Sequence, residues 1–386
     1  MNYTKKQQTL SLLPYIKSIQ KKDYSYDLNN IHSDTINYAI HVGLGSLLNV
    51  SIKSNPSLYD SNLQSVLLGA DLTAQVLNGS NITALLEILH ADTELAKNII
   101  LLKGISTSIW LYPKPYMRIM GDIDLLVSDE DQPKLEKLCT ELGYSQKSDE
   151  PSSFYENLHH SMPFYHPKKN VWIEVHTSLF PTSSPLSKEN IFIKANTKTH
   201  TLHREFEGYD VVHLDISLQL VYTCAHWAQE HNWSKGIIRI IDILFIINNT
   251  EKIINWEKIF IWLDDSPVSA NYLYLILSFF HKNELVNLPD GILNKVKEYT
   301  NGLNNFNLRL LHYLIERYLF KGRAFGKRFS INNATIIWNA LLEPTNYPVF
   351  NLLSLPWKII FPPQNPRRYS ISFQISRIKH LLFTYK

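Results

Sequence analysis

Cysteine is scarce in this chain, because Cys139 and Cys224 are the only two among 386 residues. Neither lies in a CxxC or other metal-ligand spacing, so the sequence predicts no disulfide scaffold. Two isolated cysteines are consistent with a protein of the reducing cytoplasm. The chain also lacks a large excess of either charge: 38 Lys and Arg against 35 Asp and Glu give a formal net charge of +3. So small a basic bias does not by itself indicate a nucleic-acid partner.

Long hydrophobic runs are also lacking. The apolar segments 36–50 and 236–247 are shorter than the roughly 18 residues of a membrane-spanning helix, and the second contains Arg239 and Asp242. Residues 1–23 carry positive charge but no continuous apolar stretch and no small-residue cleavage site, which argues against a signal peptide. The expectation is a soluble, cytoplasmic protein with no membrane span.

Apolar periodicity predicts three regions. Hydrophobic residues recur at spacings of three and four in most of 1–95, which predicts a helical N-terminal region. Strand and turn signals follow over 96–210, and helical patterns dominate again in 211–386, with a last amphipathic helix over 371–383 after an extended proline-rich crossing at 356–368. The predicted fold class is therefore α+β.

The central region shows a regular order of elements. The run 99–102 predicts a strand that ends in a turn at Lys103-Gly104, after which Ser106 or Thr107 would cap a short helix. The later elements are a strand over about 120–127, a helix that ends at Gly143, and a hairpin made of strands 158–165 and 171–177. Residues 181–210 show no clear pattern.

Two carboxylates alternate along the second of these strands. The strand period of two places Asp122 and Asp124 on one face. Such a pair suffers like-charge repulsion and desolvation unless a cation lies between them, and hard oxygen ligands suit Mg²⁺. Because Mg²⁺ also bridges phosphate oxygens, the pair favours in-line attack on a nucleoside triphosphate. A DxD alone is weak evidence, since it is more often a solvated strand end.

Further candidates surround this pair. Glu174 shares a strand face with His176 and is the predicted third metal ligand, although it could be a surface residue of an edge strand. His176 is either a substrate contact or half-buried packing. Lys103 and Arg118 are predicted to contact phosphate, or else are ordinary surface cations.

The residues that carry this pattern resemble a known family. The stretch LLKGISTSIWLYPKPYMRIMGDIDLLV, followed by LHHSMPFY and VWIEVHTSLF, is similar to the bacterial "uncharacterised nucleotidyltransferase" family of the polymerase-β-like superfamily. The likeness extends to His226-Trp227, to His231 and to the helix at 236–242.

The resemblance implies a minimal nucleotidyltransferase core with a mixed β-sheet. It also implies that Asp122, Asp124 and Glu174 bind Mg²⁺ or Mn²⁺, and that Gly104 and Ser106, beside Gly121, lie at the nucleotide. One departure is that Ile105 separates Gly104 from Ser106, where the superfamily's usual turn is Gly-Ser.

The function expected from this likeness is transfer of a nucleoside monophosphate from an NTP to an acceptor hydroxyl, with release of pyrophosphate. The acceptor is a peptide, a saccharide, a small molecule or, with less support, tRNA. A tailoring enzyme for a peptide or polysaccharide product and a non-catalytic nucleotide-binding module are the alternatives.

Acceptor contacts are sought at His160, His176, Arg239 and Asp242. Arg239 and Asp242 are spaced to pair within one buried helix, either as a strut between the helical domain and the core or with Arg239 reaching the nucleotide.

Overall fold

The computed structural model describes most of the chain. The described residues are 11–20, 26–150, 155, 158–193, 200–230, 236–250, 253–320, 337–342 and 370–371. The predicted crossing at 356–368, His231 and all but the first residue of the helix predicted over 371–383 lie outside them.

Helices make up most of the described chain. They are α1 Leu13–Gln20, α2 Ser33–His41, α3 Gly45–Ser54, α4 Ser61–Ala91, α5 Thr93–Ala96, α6 Lys103–Leu111, α7 Gln132–Glu141, α8 Asn190–Ile193, α9 Ile216–Glu230, α10 Gly236–Thr250, α11 Trp256–Leu263, α12 Pro267–Lys282, α13 Ile292–Glu298 and α14 Asn305–Ile315. A π-helical turn, Glu316–Phe320, continues α14. No described helix is long and apolar enough to cross a bilayer.

Seven strands form one mixed sheet. They are β1 Ile100–Leu101, β2 Ile123–Leu126, β3 Ser145–Gln146, β4 Phe164–His166, β5 Val171–His176, β6 Thr201–Phe206 and β7 Tyr209–Leu214. The spatial order is β3-β4-β5-β2-β1-β7-β6. β2 runs parallel to β5 and β1 parallel to β7, whereas the other neighbours are antiparallel. The α+β class, the mixed sheet and the flanking helices are thus confirmed.

Strand alternation gives the sheet two apolar faces. On one face Leu101, Ile123 and Ile173 pack with the end of α4 and with α7. On the other, Leu102 and Leu214 join a larger core that contains side chains of α1–α3 and of α9–α12. The sheet therefore lies between two layers of helices, and both of its faces contribute apolar side chains to the core. The boundaries at 95 and 210 stay predictions.

The N-terminal region contains a 31-residue helix, α4, that joins the two segments in which apolar periodicity indicates helix, 63–77 and 82–89. Asp60 caps it by accepting a hydrogen bond from the amide of Leu63 at 2.8 Å. No proline interrupts the segment, and the glycines at 69 and 79 are tolerated in a helix at a cost of about 1 kcal/mol each.

One local prediction was wrong, and one hairpin was not predicted. α6 begins at Lys103 rather than after a cap at Ser106 or Thr107, and the Thr107 hydroxyl instead donates to the carbonyl of Lys103 inside the helix. The β6–β7 hairpin was missed. Its two-residue turn is Glu207-Gly208, both with positive φ (51° and 83°), the conformation of a type I′ turn. Glutamate is uncommon at the first position of such a turn, so the sequence did not indicate a hairpin here.

Candidate active site

The parallel pairing of β2 and β5 brings three predicted site residues together. In the register of these strands Asp124 lies opposite Glu174, and Leu126 lies opposite His176. Asp122 comes one residue before β2, and Lys103 comes two residues after β1, the strand on the other side of β2. The sheet topology therefore brings residues that are far apart in the sequence into one cluster.

Asp124 is the centre of this carboxylate cluster. Its Oδ1 accepts from Lys103 Nζ at 2.7 Å and lies 2.9 Å from His176 Nε2. Glu174 Oε2 lies 4.0 Å from the same Lys103 nitrogen and 3.5 Å from the same His176 nitrogen. Asp124 is 2% exposed and His176 is fully buried, so these charges interact with little screening by water.

The carboxylates titrate differently. Repulsion from Asp124, reinforced by burial and by Glu174, raises the pKa of Asp122 to about 7. Burial opposes ionisation of Asp124 and Glu174, yet Lys103 and a hydrogen bond from His176 hold the pKa of each below its usual value. Asp122 is thus the carboxylate whose negative charge the cluster compensates least.

The donor set fits a divalent cation. Asp124, Glu174 and His176 each present one ligand atom, and these atoms lie within 4.8 Å of one another. Two carboxylate oxygens suit Mg²⁺ or Mn²⁺, and an imidazole nitrogen is a better ligand for Mn²⁺ than for Mg²⁺. The sequence placed His176 only at the acceptor, although its position two residues after Glu174 already put both on one strand face.

Two further histidines, His159 and His160, lie beside His176. The ring centres of His159, His160 and His176 lie 5.0–5.2 Å apart. The backbone of His160 bridges that of His176, and His160 Nδ1 lies 2.9 Å from the Ser161 carbonyl. Nδ1 of His159 and of His176 has no hydrogen-bond partner among the described residues. His160 therefore lies beside the cluster, as an acceptor contact should.

Arg118 is engaged within the fold. It is 7% exposed, and its Nη2 donates to Asp242 Oδ2 at 2.7 Å while its Nη1 donates to the Ile119 carbonyl at 2.7 Å. The hydroxyl of Tyr112 donates to the other oxygen of Asp242 at 2.8 Å. A strut between α10 and the core thus exists, but Asp242 takes Arg118 where the sequence predicts Arg239. Arg239 is half-buried on the same helix.

The segment that leads into β2 is also held by α4. The side-chain amide of Asn78 donates to the carbonyls of Tyr116 and Arg118 at 2.6 and 2.8 Å, and its oxygen accepts from the amide of Met120 at 3.2 Å. These contacts fix the backbone just before Asp122. An Asn inside a long helix gives no sequence signal for such a function, so it was missed.

Gly104, Ser106 and Gly121, the small residues expected at the nucleotide, have different surroundings. A Cβ on Gly104 would lie 2.9 Å from Arg118 Nη1, so glycine is needed for this close approach. Ser106 is fully buried, with its Oγ 2.9 Å from His213 Nδ1. Gly121 is exposed, and a Cβ there would meet nothing within 4 Å. Their contacts with a nucleotide stay predictions.

Comparison with known proteins shows the family to which this chain belongs. A family model described as "Uncharacterised nucleotidyltransferase" matches residues 32–279, which is more than half of the chain. The match includes the sheet, α10 and the whole carboxylate cluster. The chain therefore belongs to this nucleotidyltransferase family, as the sequence motifs indicate. Neither a curated protein nor a solved structure is significantly similar to it.

Proposed function

We propose that this protein is a metal-dependent nucleotidyltransferase of the polymerase-β-like type. It transfers a nucleoside monophosphate from a nucleoside triphosphate to an acceptor hydroxyl and releases pyrophosphate. The observation that carries this proposal is the convergence of Asp124, Glu174 and His176, whose ligand atoms lie within 4.8 Å of one another. Asp122 precedes the strand that carries Asp124, and repulsion from Asp124 raises its pKa to about 7. Membership of a nucleotidyltransferase family supports the same reaction class.

The cluster would hold the metal through Asp124 and Glu174, with Asp122 and His176 completing the set. When bound, Mg²⁺ or Mn²⁺ neutralises phosphate charge and makes the α-phosphorus more electrophilic. The chain's own contribution is to keep Asp124 and Glu174 ionised and oriented. His176 does this by its contact with Asp124, and the parallel strand pair fixes the backbone of both acids.

Lys103 acts as the cluster's own cation before substrate arrives. Its Nζ lies 2.7 Å from Asp124 and 4.0 Å from Glu174, where a positive charge is most favourable. Its side chain is flexible and its ammonium carries three N–H donors, so Lys103 could turn to a phosphate oxygen if a cation occupied the carboxylate site. The lysine would then stabilise negative charge on the leaving pyrophosphate.

The reaction balances within the cluster. The acceptor oxygen bonds to the α-phosphorus, the bond from that phosphorus to the bridging oxygen breaks, and pyrophosphate carries the electron pair away. An ionised carboxylate of the cluster accepts the hydroxyl proton. The acceptor is a peptide, a saccharide or another small molecule that docks beside His160, which adjoins the cluster, with Arg239 as a further candidate contact.

Metal binding and nucleotidyl transfer can be tested on the same variants. Calorimetry with MnCl₂ and each NTP should show binding to the wild type, and Asp124→Asn or Glu174→Gln should weaken Mn²⁺ binding by at least about tenfold. Asp129→Asn, which removes an exposed carboxylate close in sequence, should bind Mn²⁺ like the wild type.

Mass spectrometry of a cell extract incubated with enzyme, Mn²⁺ and the tightest-binding NTP should then reveal an acceptor that gains one nucleoside monophosphate. Binding of metal and NTP with no modified acceptor and no pyrophosphate would support the non-catalytic module instead. Failure of the wild type to bind any divalent metal would refute both interpretations.

A further inference from the structure

A polar cavity lies against α6, β6 and β7, away from the carboxylate cluster. Its volume is about 260 Å³, and its polar lining consists of Trp110, Arg204, Glu205 and His213. Trp110 follows Lys103 on α6 at a distance of roughly 10 Å along the helix axis. None of the cluster carboxylates lines this cavity.

His213 lines the cavity and has one ring nitrogen without a hydrogen-bond partner among the described residues. It is fully buried, and its Nδ1 lies 2.9 Å from the buried hydroxyl of Ser106. In the described part of the chain that hydroxyl has no other acceptor, so we assign its proton to the bond with Nδ1. A neutral ring then carries its own proton on Nε2, and this buried atom has no partner among the described residues. Burial lowers the pKa of His213 to about 4, which keeps the ring neutral at pH 7.

Arg204 supplies a positive charge to the same space. Its guanidinium carbon lies 3.9 Å from the centre of the Trp110 ring, and its buried Nε has no hydrogen-bond partner in the described ranges. No described carboxylate forms an ion pair with it. Glu205, the neighbouring residue on β6, is exposed at the rim. A half-buried guanidinium without a counter-charge is costly, and a bound anion would remove that cost.

We propose that this cavity binds a small oxyanion, a carboxylate or a phosphate group, held by Arg204 and by Nε2–H of His213 beside the Trp110 ring. Both residues line this cavity and each has a buried nitrogen without a partner among the described residues, which favours an acceptor-rich ligand. A volume of about 260 Å³ lies below the range typical of drug-sized ligands, so it suits a small acid better than a whole nucleotide. The site is independent of the proposed transfer reaction.

Calorimetry on the full chain tests this site. Sodium phosphate and sodium acetate, the two probes, are titrated separately at constant ionic strength in EDTA, so that no metal can bridge phosphate to the carboxylates. Saturable binding of at least one probe is expected, and the probe that binds more tightly identifies phosphate or carboxylate as the preferred group. Arg204→Gln should weaken that binding at least tenfold, whereas Arg309→Gln, which removes an exposed arginine, should not change it.

A second readout guards against misfolding of the glutamine variant. In the wild type the bound anion should change the tryptophan fluorescence, and Trp110→Phe should lose this change. Arg204→Lys, which keeps the charge, should bind more weakly than the wild type but more tightly than Arg204→Gln. Equal binding by Arg204→Gln and the wild type, or no saturable binding of either probe, would overturn the proposal.

Discussion

Two buried ionic clusters share the segment between α6 and β2, and they differ in charge balance. In the first, Arg118 pairs with Asp242, and Tyr112 donates to the same carboxylate. In the second, the charges of Asp122, Asp124 and Glu174 all interact with Lys103, and Asp124 and Glu174 also contact His176. A matched and fully hydrogen-bonded pair holds elements together. An excess of carboxylate opposes folding, so its presence points to a ligand that supplies positive charge.

The largest effect is expected from breaking the balanced pair. Asp242→Asn leaves Arg118 charged and buried without its counter-charge, which should lower the free energy of unfolding by about 3–5 kcal/mol. Urea unfolding at pH 7 measures this. Asp290→Asn, which removes an exposed carboxylate, should change stability by less than about 0.5 kcal/mol. If both variants were equally stable, the pair would not be the strut described.

A smaller effect should follow from crowding the same pair. A methyl group at Gly104 would lie 2.9 Å from Arg118 Nη1 and 3.2 Å from Met120 Cβ. Gly104→Ala should therefore cost about 1–3 kcal/mol by forcing Arg118 to move. Gly69→Ala is the matched control, because it lies in α4 with open space around it and should stabilise the helix by up to about 1 kcal/mol. Destabilisation of equal size at both glycines would contradict the contact.

The two clusters also differ in how far the sequence predicted them. The strand period of two was enough to place Asp124, Glu174 and His176 on strand faces, and parallel pairing then brought them together. The strut could not be predicted in the same way. Spacing favours Arg239 as the partner of Asp242, but the partner is Arg118, more than a hundred residues away, and only the packing of α10 on the core decides this.

The fold shows the same division between local and long-range information. Hydrophobic periodicity predicted the helical character of the N-terminal and C-terminal regions, α7 and the β4–β5 hairpin, because these depend on nearby residues. It did not predict that β7 inserts beside β1, since parallel pairing of strands far apart in sequence depends on the assembled core. His213 enters the structure through that strand, and so the contact of Ser106 with His213 was missed as well.

The smallest effect, of opposite sign, should come from relieving the unbalanced cluster. The pKa of Asp122 is about 7 in the folded protein and near 4 when unfolded, so this group stabilises the fold at low pH. That contribution is lost as the pH rises from about 4 through 7. In EDTA at pH 8, Asp122→Asn should therefore raise the free energy of unfolding, whereas Asp129→Asn should not. The expected gain is about 1 kcal/mol, less than the full pKa shift implies, because Asp122 is only half-buried and water screens part of the repulsion.

Thermal unfolding with and without MnCl₂ gives the sign of this effect directly. Mn²⁺ should stabilise the wild type, because a bound cation neutralises Asp122, and it should stabilise Asp122→Asn less. Lowering the pH below 7 should weaken Mn²⁺ binding to the wild type, since protons then compete for Asp122. A wild type that is more stable than Asp122→Asn in EDTA at pH 8 would show that the cluster is already balanced by the chain itself. The distinction between a structural and a metal-binding ionic cluster would then fail for this protein.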